Sequence, residues 1–176
     1  MKVIIVSIAI LIIAGLSYVV YNSIQKDEVD AVDTNTIQLD TIPKTVKPTV
    51  TVPEGWEPVE GSVLDFQYAK DTASFIMKTE NFDSTNLEAV IPEAKAIFED
   101  AFDNVEFIGN TEDLQVDGRD AKKIVFTIEM MGVGMKYMYI YTVADGDVYA
   151  ITFGDLSSTF DNSTSDYQTI LESIRF

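Results

Sequence analysis

Residues 121–153 read AKKIVFTIEMMGVGMKYMYIYTVADGDVYAITF, and this stretch decides the fold. Three runs in it alternate apolar with polar or small residues, the two-residue period of half-buried strands. Ile124, Phe126 and Ile128 fall on one face of the first run. Tyr137, Tyr139, Tyr141 and Val143 share a face of the second, and Tyr149, Ile151 and Phe153 a face of the third. Aromatic and β-branched side chains suit such positions because they fill a pleated surface. Gly132 and Gly134 predict a reversal between the first two runs. Asp145-Gly146 predicts a two-residue turn between the second and third, with a twist that matches paired strands. The expectation is an antiparallel meander that the rest of the chain must cover or tether.

Upstream of it, Val46, Val50 and Val52 predict a first strand. Pro53-Glu54-Gly55-Trp56 ends it, because Pro fixes φ and Gly permits the turn. Trp56, the chain's one tryptophan, is expected on the core. Leu64, Phe66 and Tyr68 predict a second strand, Phe75 and Met77 a third, with residues 69–72 as the turn between them. The period then changes. Leu87, Val90, Ile91, Ala94, Ile97, Phe98, Ala101 and Phe102 recur at three and four, the stripe of an amphipathic helix. Thr85 with Glu88 reads as a capping box. Pro92 conflicts with a helix, since an interior proline costs about 3 kcal/mol. The stripe continues through it, so one kinked helix is expected in preference to a helix that starts at Pro92.

Residues 105–109 and 114–116 predict short strands, and Asp117-Gly118-Arg119 a tight turn into the long stretch. After Phe153, residues 154–162 read as a polar connection. A closing helix follows, with Tyr167, Ile170, Leu171 and Ile174 on one face and Ser163 or Thr164 as its cap. The predicted class is α+β: an antiparallel meander sheet covered by two amphipathic helices, an α/β sandwich.

The 176 residues carry a formal net charge of −17. Such a charge repels phosphates, so no nucleic acid is expected as a partner. There is no cysteine and no histidine. That excludes disulfides, thiolate metal sites, cysteine nucleophiles and a lipoprotein attachment cysteine. It also removes the commonest general base near neutral pH and the commonest transition-metal ligand.

Val3–Tyr21, VIIVSIAILIIAGLSYVVY, has no charged residue. A helix of this length just spans a hydrocarbon core of about 30 Å. Lys2 precedes it, and Tyr18 and Tyr21 fit an interfacial belt. The expectation is an N-terminal transmembrane anchor over residues 1–21, in contact with the lipid bilayer through Val3–Tyr21. A cleaved signal peptide is the rival reading. Residues 22–45 read as a flexible linker, acidic at Asp27, Glu28, Asp30 and Asp33 and then rich in Thr and Pro. Residues 46–176 read as the globular domain, monomeric, outside the cytoplasm on a single-pass membrane protein.

Three segments resemble a known family: Pro53-Glu54-Gly55-Trp56, Val116-Asp117-Gly118-Arg119-Asp120-Ala121, and the ending Tyr167…Ile170-Leu171-Glu172-Ser173-Ile174-Arg175-Phe176. With the order of strands and helices, residues 46–176 resemble the PsbP-like superfamily. It includes the extrinsic photosystem II subunit, a Ran-binding import factor, and prokaryotic membrane-anchored or lipoprotein forms called PsbP-related or DcrB-like. The resemblance implies an antiparallel sheet with helices on its faces and a non-catalytic binding or assembly role. Some photosynthetic members are associated with retaining Mn²⁺ or Ca²⁺, in part through histidine. This chain has none, so no such site transfers. The Ran-binding role requires a nuclear address, which a membrane span contradicts.

Carboxylates crowd three places: Asp113, Asp117 and Asp120; Asp145 and Asp147; and Glu99, Asp100, Asp103 and Glu106. Paired carboxylates do acid–base work when a pocket raises the pKa of one of them. No spacing signals that here, and solvated turns are the ordinary explanation. Asp145-Gly146-Asp147 lacks the ligand ladder of an EF-hand, and Gly132-Val133-Gly134 lacks the context of a dinucleotide loop. No catalytic residue, metal ligand or cofactor is assigned. The Tyr137/Tyr139/Tyr141 ladder is a candidate interaction surface, a stacking platform for sugars or peptides. Met130, Met131 and Met135 beside it would give an adaptable contact. Packing under a helix is the competing explanation for the tyrosines, and core filling for the methionines. The leading functional expectation is a membrane-anchored, extracytoplasmic, non-catalytic module for an unknown protein or small-molecule partner. A weak divalent-cation-binding surface protein and an enzyme with an unrecognised carboxylate site are the alternatives.

Overall fold

A computed structural model describes residues 47–176. The anchor and linker expectations for residues 1–45 lie outside them, as does Val46. Within the described residues no helix is long and apolar enough to cross a membrane.

The strands are β1 (Glu57–Pro58), β2 (Phe66–Lys70), β3 (Ala73–Glu80), β4 (Glu106–Phe107), β5 (Glu112–Val116), β6 (Arg119–Met130), β7 (Val133–Ala144) and β8 (Asp147–Leu156). Helix α1 (Leu87–Ala101) follows β3, and a 3₁₀ turn (Phe160–Ser163) leads into α2 (Thr164–Ser173). All eight strands form one antiparallel sheet in the order β1-β2-β3-β8-β7-β6-β4, with β5 also on β6. The meander β6-β7-β8 is its centre.

Side chains alternate across a strand, so pairing register assigns every residue to a face. Phe75 pairs with Phe153, and Phe153 with Met138. This face carries Phe75, Met77, Ile140, Ile151 and Phe153 and packs on Trp56, Phe160, Tyr167, Ile170 and Ile174. The opposite face carries Ile124, Phe126, Tyr137, Tyr139 and Tyr141. There α1 lays Phe98 on Phe126 and Tyr139, with ring centroids 4.6 and 4.8 Å apart. The two helices thus cover opposite faces of the sheet.

The turns account for the tight hairpins. Asp117-Gly118, Met131-Gly132 and Asp145-Gly146 each hold two successive residues at positive φ. That is the mirror-image turn whose twist fits paired strands. The reversal after β6 is therefore Met131-Gly132. Gly134, expected in that reversal, instead lies in β7 opposite Glu129.

Other expectations are corrected. Val50 and Val52 are not in a strand. Their segment makes a single bridge, Thr49 to Arg175, through backbone bonds of 2.9 and 3.0 Å. The Ser173 hydroxyl accepts the Thr51 N–H at 2.9 Å. One bridge and a side-chain acceptor hold the arm without a ladder. The cap of α1 is Asn86, whose side chain accepts the Glu88 N–H at 3.0 Å. Thr85 and Glu88 form no capping box. Helix α1 runs unbroken through Pro92, because Val90, Ile91, Ala94 and Phe98 bury one continuous face. Residues 154–156, expected in a connection, extend β8. Ser163 stands at the start of α2 without capping it by a side-chain bond.

Candidate interaction surface

The β5–β6 hairpin and α2 enclose an open cleft. Asp117 and Gly118, at φ 49° and 73°, turn the chain so that the Asp117 carboxylate faces back toward the chain end. It accepts Arg119 Nη1 at 2.9 Å and the Phe176 N–H at 3.0 Å, and Arg175 Nε lies 3.8 Å away. The Phe176 N–H, with the Arg119 and Arg175 guanidinium groups beside it, holds this carboxyl below its ordinary pKa. The cleft has a volume of about 570 Å³, with Leu114, Val116 and Leu171 as its apolar lining and Asp117, Glu172 and Arg175 among its polar groups. Arg119 also lies over the Phe176 ring, 5.3 Å from its centroid, and Phe176 meets Tyr149 edge-on.

The tyrosine ladder is assembled, with Tyr139 beneath Phe98 of α1. Phe126 stacks with Tyr137 and Tyr139, and Phe82 meets Tyr141 edge-on at 5.6 Å. Tyr137 and Tyr141 are buried and Tyr139 is half-buried. Burial pushes the Tyr137 phenol up to about 12 and raises Tyr139 and Tyr141 as well. All three are neutral at physiological pH. Met135 is buried and Met130 half-buried. Met131, at 92 % exposure, projects from its turn. The six residues therefore do not form one open platform, because Phe98 of α1 lies on Tyr139 and Phe82 lies against Tyr141.

Gly154 shows how tight that packing is. It lies opposite Tyr137, and an added Cβ would sit 2.6 Å from the Tyr137 ring and 3.1 Å from Ser74 Oγ. The ring occupies the space a side chain would need. The Tyr137 hydroxyl is buried with no hydrogen-bond partner.

Asp155 was not foreseen. It is 1 % exposed at the end of β8. Its Oδ1 accepts the Thr72 hydroxyl at 2.6 Å, the Thr159 hydroxyl at 2.8 Å and the Leu156 N–H at 2.7 Å. Ser163 Oγ lies 3.4 Å from Oδ2. These donors join the β2–β3 turn to the start of α2, so the carboxylate is a structural hub. The available signal was an Asp at a strand end followed by Ser157, Ser158 and Thr159.

The other carboxylates do not converge. Asp113 pairs with Lys122 at 2.6 Å, and Lys122 also meets Glu88 at 2.8 Å. Among the described residues no three acidic groups stand where they could hold a metal ion.

Three solved structures share this architecture. LpqN of Mycobacterium tuberculosis, described as involved in cell envelope biogenesis, has 14 % identity and a TM-score of 0.55 over 73 % of this chain and 83 % of that one. PA94 from Pseudomonas aeruginosa, described as a protein of unknown function and putative regulator, has 11 % identity and a TM-score of 0.55 over 77 % and 88 %. The cyanobacterial PsbP of Synechocystis sp. PCC 6803 has 16 % identity and a TM-score of 0.50 over 78 % and 98 %. No family model and no curated protein matches the chain. At these identities the likeness establishes a PsbP-like fold.

Proposed function

We propose that this chain is a non-catalytic binding or scaffolding module, held in the cell membrane by Val3–Tyr21 with residues 46–176 on the extracytoplasmic side. The observation that favours the non-catalytic part is the geometry at Asp117, whose carboxylate accepts Arg119 Nη1 at 2.9 Å and the Phe176 N–H at 3.0 Å. A general acid needs a carboxyl whose pKa is raised toward neutrality by a desolvating pocket. Asp117 is shifted the other way: the Phe176 N–H first, and the Arg119 and Arg175 guanidinium groups beside it, hold its carboxyl below the ordinary range. Such a group can fix a partner by charge and hydrogen bonds, and it is a poor proton donor.

The uncharged run Val3–Tyr21, preceded by Lys2, supports the anchor. The acidic composition after it suits a domain held off an anionic lipid surface. The PsbP-like fold and the envelope role ascribed to LpqN are consistent with an extracytoplasmic address.

Fractionation tests the anchoring. Membranes carrying the full-length chain are washed at alkaline pH, which strips peripheral proteins. The chain is expected to remain in the pellet, and deletion of residues 3–21 to release it. A full-length chain found in the wash would overturn the anchor.

A further inference from the structure

The described chain begins at Lys47, just after the residues read as a linker. The arm that follows is lightly held. Lys47 and Asp65 pair at 3.0 Å, but both side chains are 66 % exposed, where an ion pair contributes little. Thr49 makes one isolated bridge. Its N–H gives to the Arg175 carbonyl at 2.9 Å, and its carbonyl accepts the Arg175 N–H at 3.0 Å. The Ser173 hydroxyl accepts the Thr51 N–H at 2.9 Å and lies 2.8 Å from the Thr51 carbonyl. Val50 and Val52 are only partly buried against the core. A segment with so few backbone bonds and so little buried apolar surface opens at a lower free energy than the strands beside it.

The residues that hold this arm also border the cleft. Backbone groups along an extended chain point alternately to its two sides. Arg175 turns its N–H and carbonyl to Thr49, so the next amide, that of Phe176, points the other way and gives its N–H to the Asp117 carboxylate at 3.0 Å. Ile174 before it is already extended, at φ −63° and ψ 135°. Residues 174–176 therefore lie as an extended end between the arm and the β5–β6 turn. Arg175 lines the cleft with its Nε 3.8 Å from Asp117, and the Phe176 ring meets both Tyr149 and Arg119. One short segment, residues 173–176, thus joins the point of chain entry to the cleft.

We propose that residues 47–52 are a releasable strap that couples the entry of the linker to the cleft. Docked, the strap fixes Arg175 and Phe176 against Asp117. Released, it frees one side of residues 174–176, the bond from Phe176 to Asp117 loosens, and the Arg175 end of the cleft opens. A pull on the linker reaches the strap first, because the linker joins the domain there. Coupling is reciprocal, so losing the Asp117 contact loosens the strap in turn. The inference rests on the reading of the domain as a tethered binding module and names how the tether acts on its cleft.

Amide hydrogen exchange on the full-length protein in mild detergent, read by NMR, tests it. Thr49→Pro removes the N–H given to Arg175, and Ser173→Ala removes the hydroxyl that holds Thr51. Each is expected to speed exchange of the Phe176 amide about fivefold or more, the scale of one lost hydrogen bond. The amides of β7 are expected to keep their parent rates. Asp117→Ala, on the other side of the end segment, is expected to speed the Thr49 and Thr51 amides. The proposal is overturned if the Phe176 amide is unprotected in the parent or exchanges as slowly in both strap variants. It is also overturned if Asp117→Ala leaves the Thr49 and Thr51 amides unchanged, or if the variants speed β7 equally, which would make the arm part of the global fold. None of these outcomes alters the fractionation result, so the anchored-module reading stands or falls separately.

Discussion

Trp56 donates its indole N–H to Asp166 Oδ2 at 2.9 Å, across 110 positions of sequence. The same oxygen accepts Lys70 Nζ at 2.8 Å. The Trp56 ring meets Tyr167 edge-on at 6.1 Å. One carboxylate in the first turn of α2 thus gathers the Pro-Glu-Gly-Trp turn and the end of β2. Trp56→Ala is expected to cost about 3–5 kcal/mol, the range for losing a buried large aromatic. Urea denaturation of a fragment beginning at Lys44 measures it. A loss below about 1 kcal/mol would contradict this placement of Trp56.

Asp166 and Asp117 predict acid sensitivity. The Lys70 bond, then the Trp56 N–H, lowers the Asp166 pKa, and the Phe176 N–H leads the lowering at Asp117. Both groups bind protons more weakly folded than unfolded, where a carboxyl titrates near about 3.9. Their stabilisation is therefore complete above that pH and is lost as pH falls through the lower folded values. The fall of Tm below about pH 4 should be shallower in Asp166→Asn and Asp117→Asn. An unchanged acid slope in both would refute the assignment.

Tyr137 and Gly154 predict two opposite changes. Tyr137→Phe removes a buried hydroxyl that has no partner and should stabilise the domain by about 1 kcal/mol. Gly154→Ala drives a methyl into the Tyr137 ring and should destabilise it by about 1–3 kcal/mol. Thermal denaturation of the two variants side by side decides. A neutral Gly154→Ala would mean that the ring has room to move.

The central meander was legible because its signals are local. Alternation in residues 121–153 and the Asp-Gly pairs each act within a few residues, and both are realised. The apolar stripe of α1 was legible through Pro92 because burial of Val90, Ile91, Ala94 and Phe98 outweighs one lost backbone bond. The arm at Val50 and Val52 misled because its valines alternate like a strand. What it lacks is a long-range ladder, and sequence spacing does not report that. Asp155 was hidden for the same reason. The donors to it come from Thr72 and Thr159, far apart in sequence. The six-residue tyrosine and methionine surface divided because period identifies a face without saying whether a helix covers it.

Cation binding is expected to be weak. A true Ca²⁺ site gathers six to eight oxygens at fixed distances, whereas Asp113 and Asp117 are engaged by Lys122, Arg119 and Phe176. Calorimetry in physiological salt should show at most Ca²⁺ or Mg²⁺ affinity near about millimolar. It should fade with NaCl and decline gradually as Asp113, Asp117 and Asp120 are neutralised. A stoichiometric micromolar isotherm abolished by one Asp→Asn change would favour the cation-binding alternative.

Protease accessibility decides whether the domain of the proposed anchored module faces outward. Cells stripped of their wall but otherwise intact, expressing the full chain with a C-terminal epitope, are treated with external protease. The epitope is expected to be lost while a cytoplasmic marker survives, and the membrane-bound chain to keep its N-terminal segment before digestion. An epitope that is cut only after the cells are lysed, or a mature chain beginning near Tyr18, would contradict it.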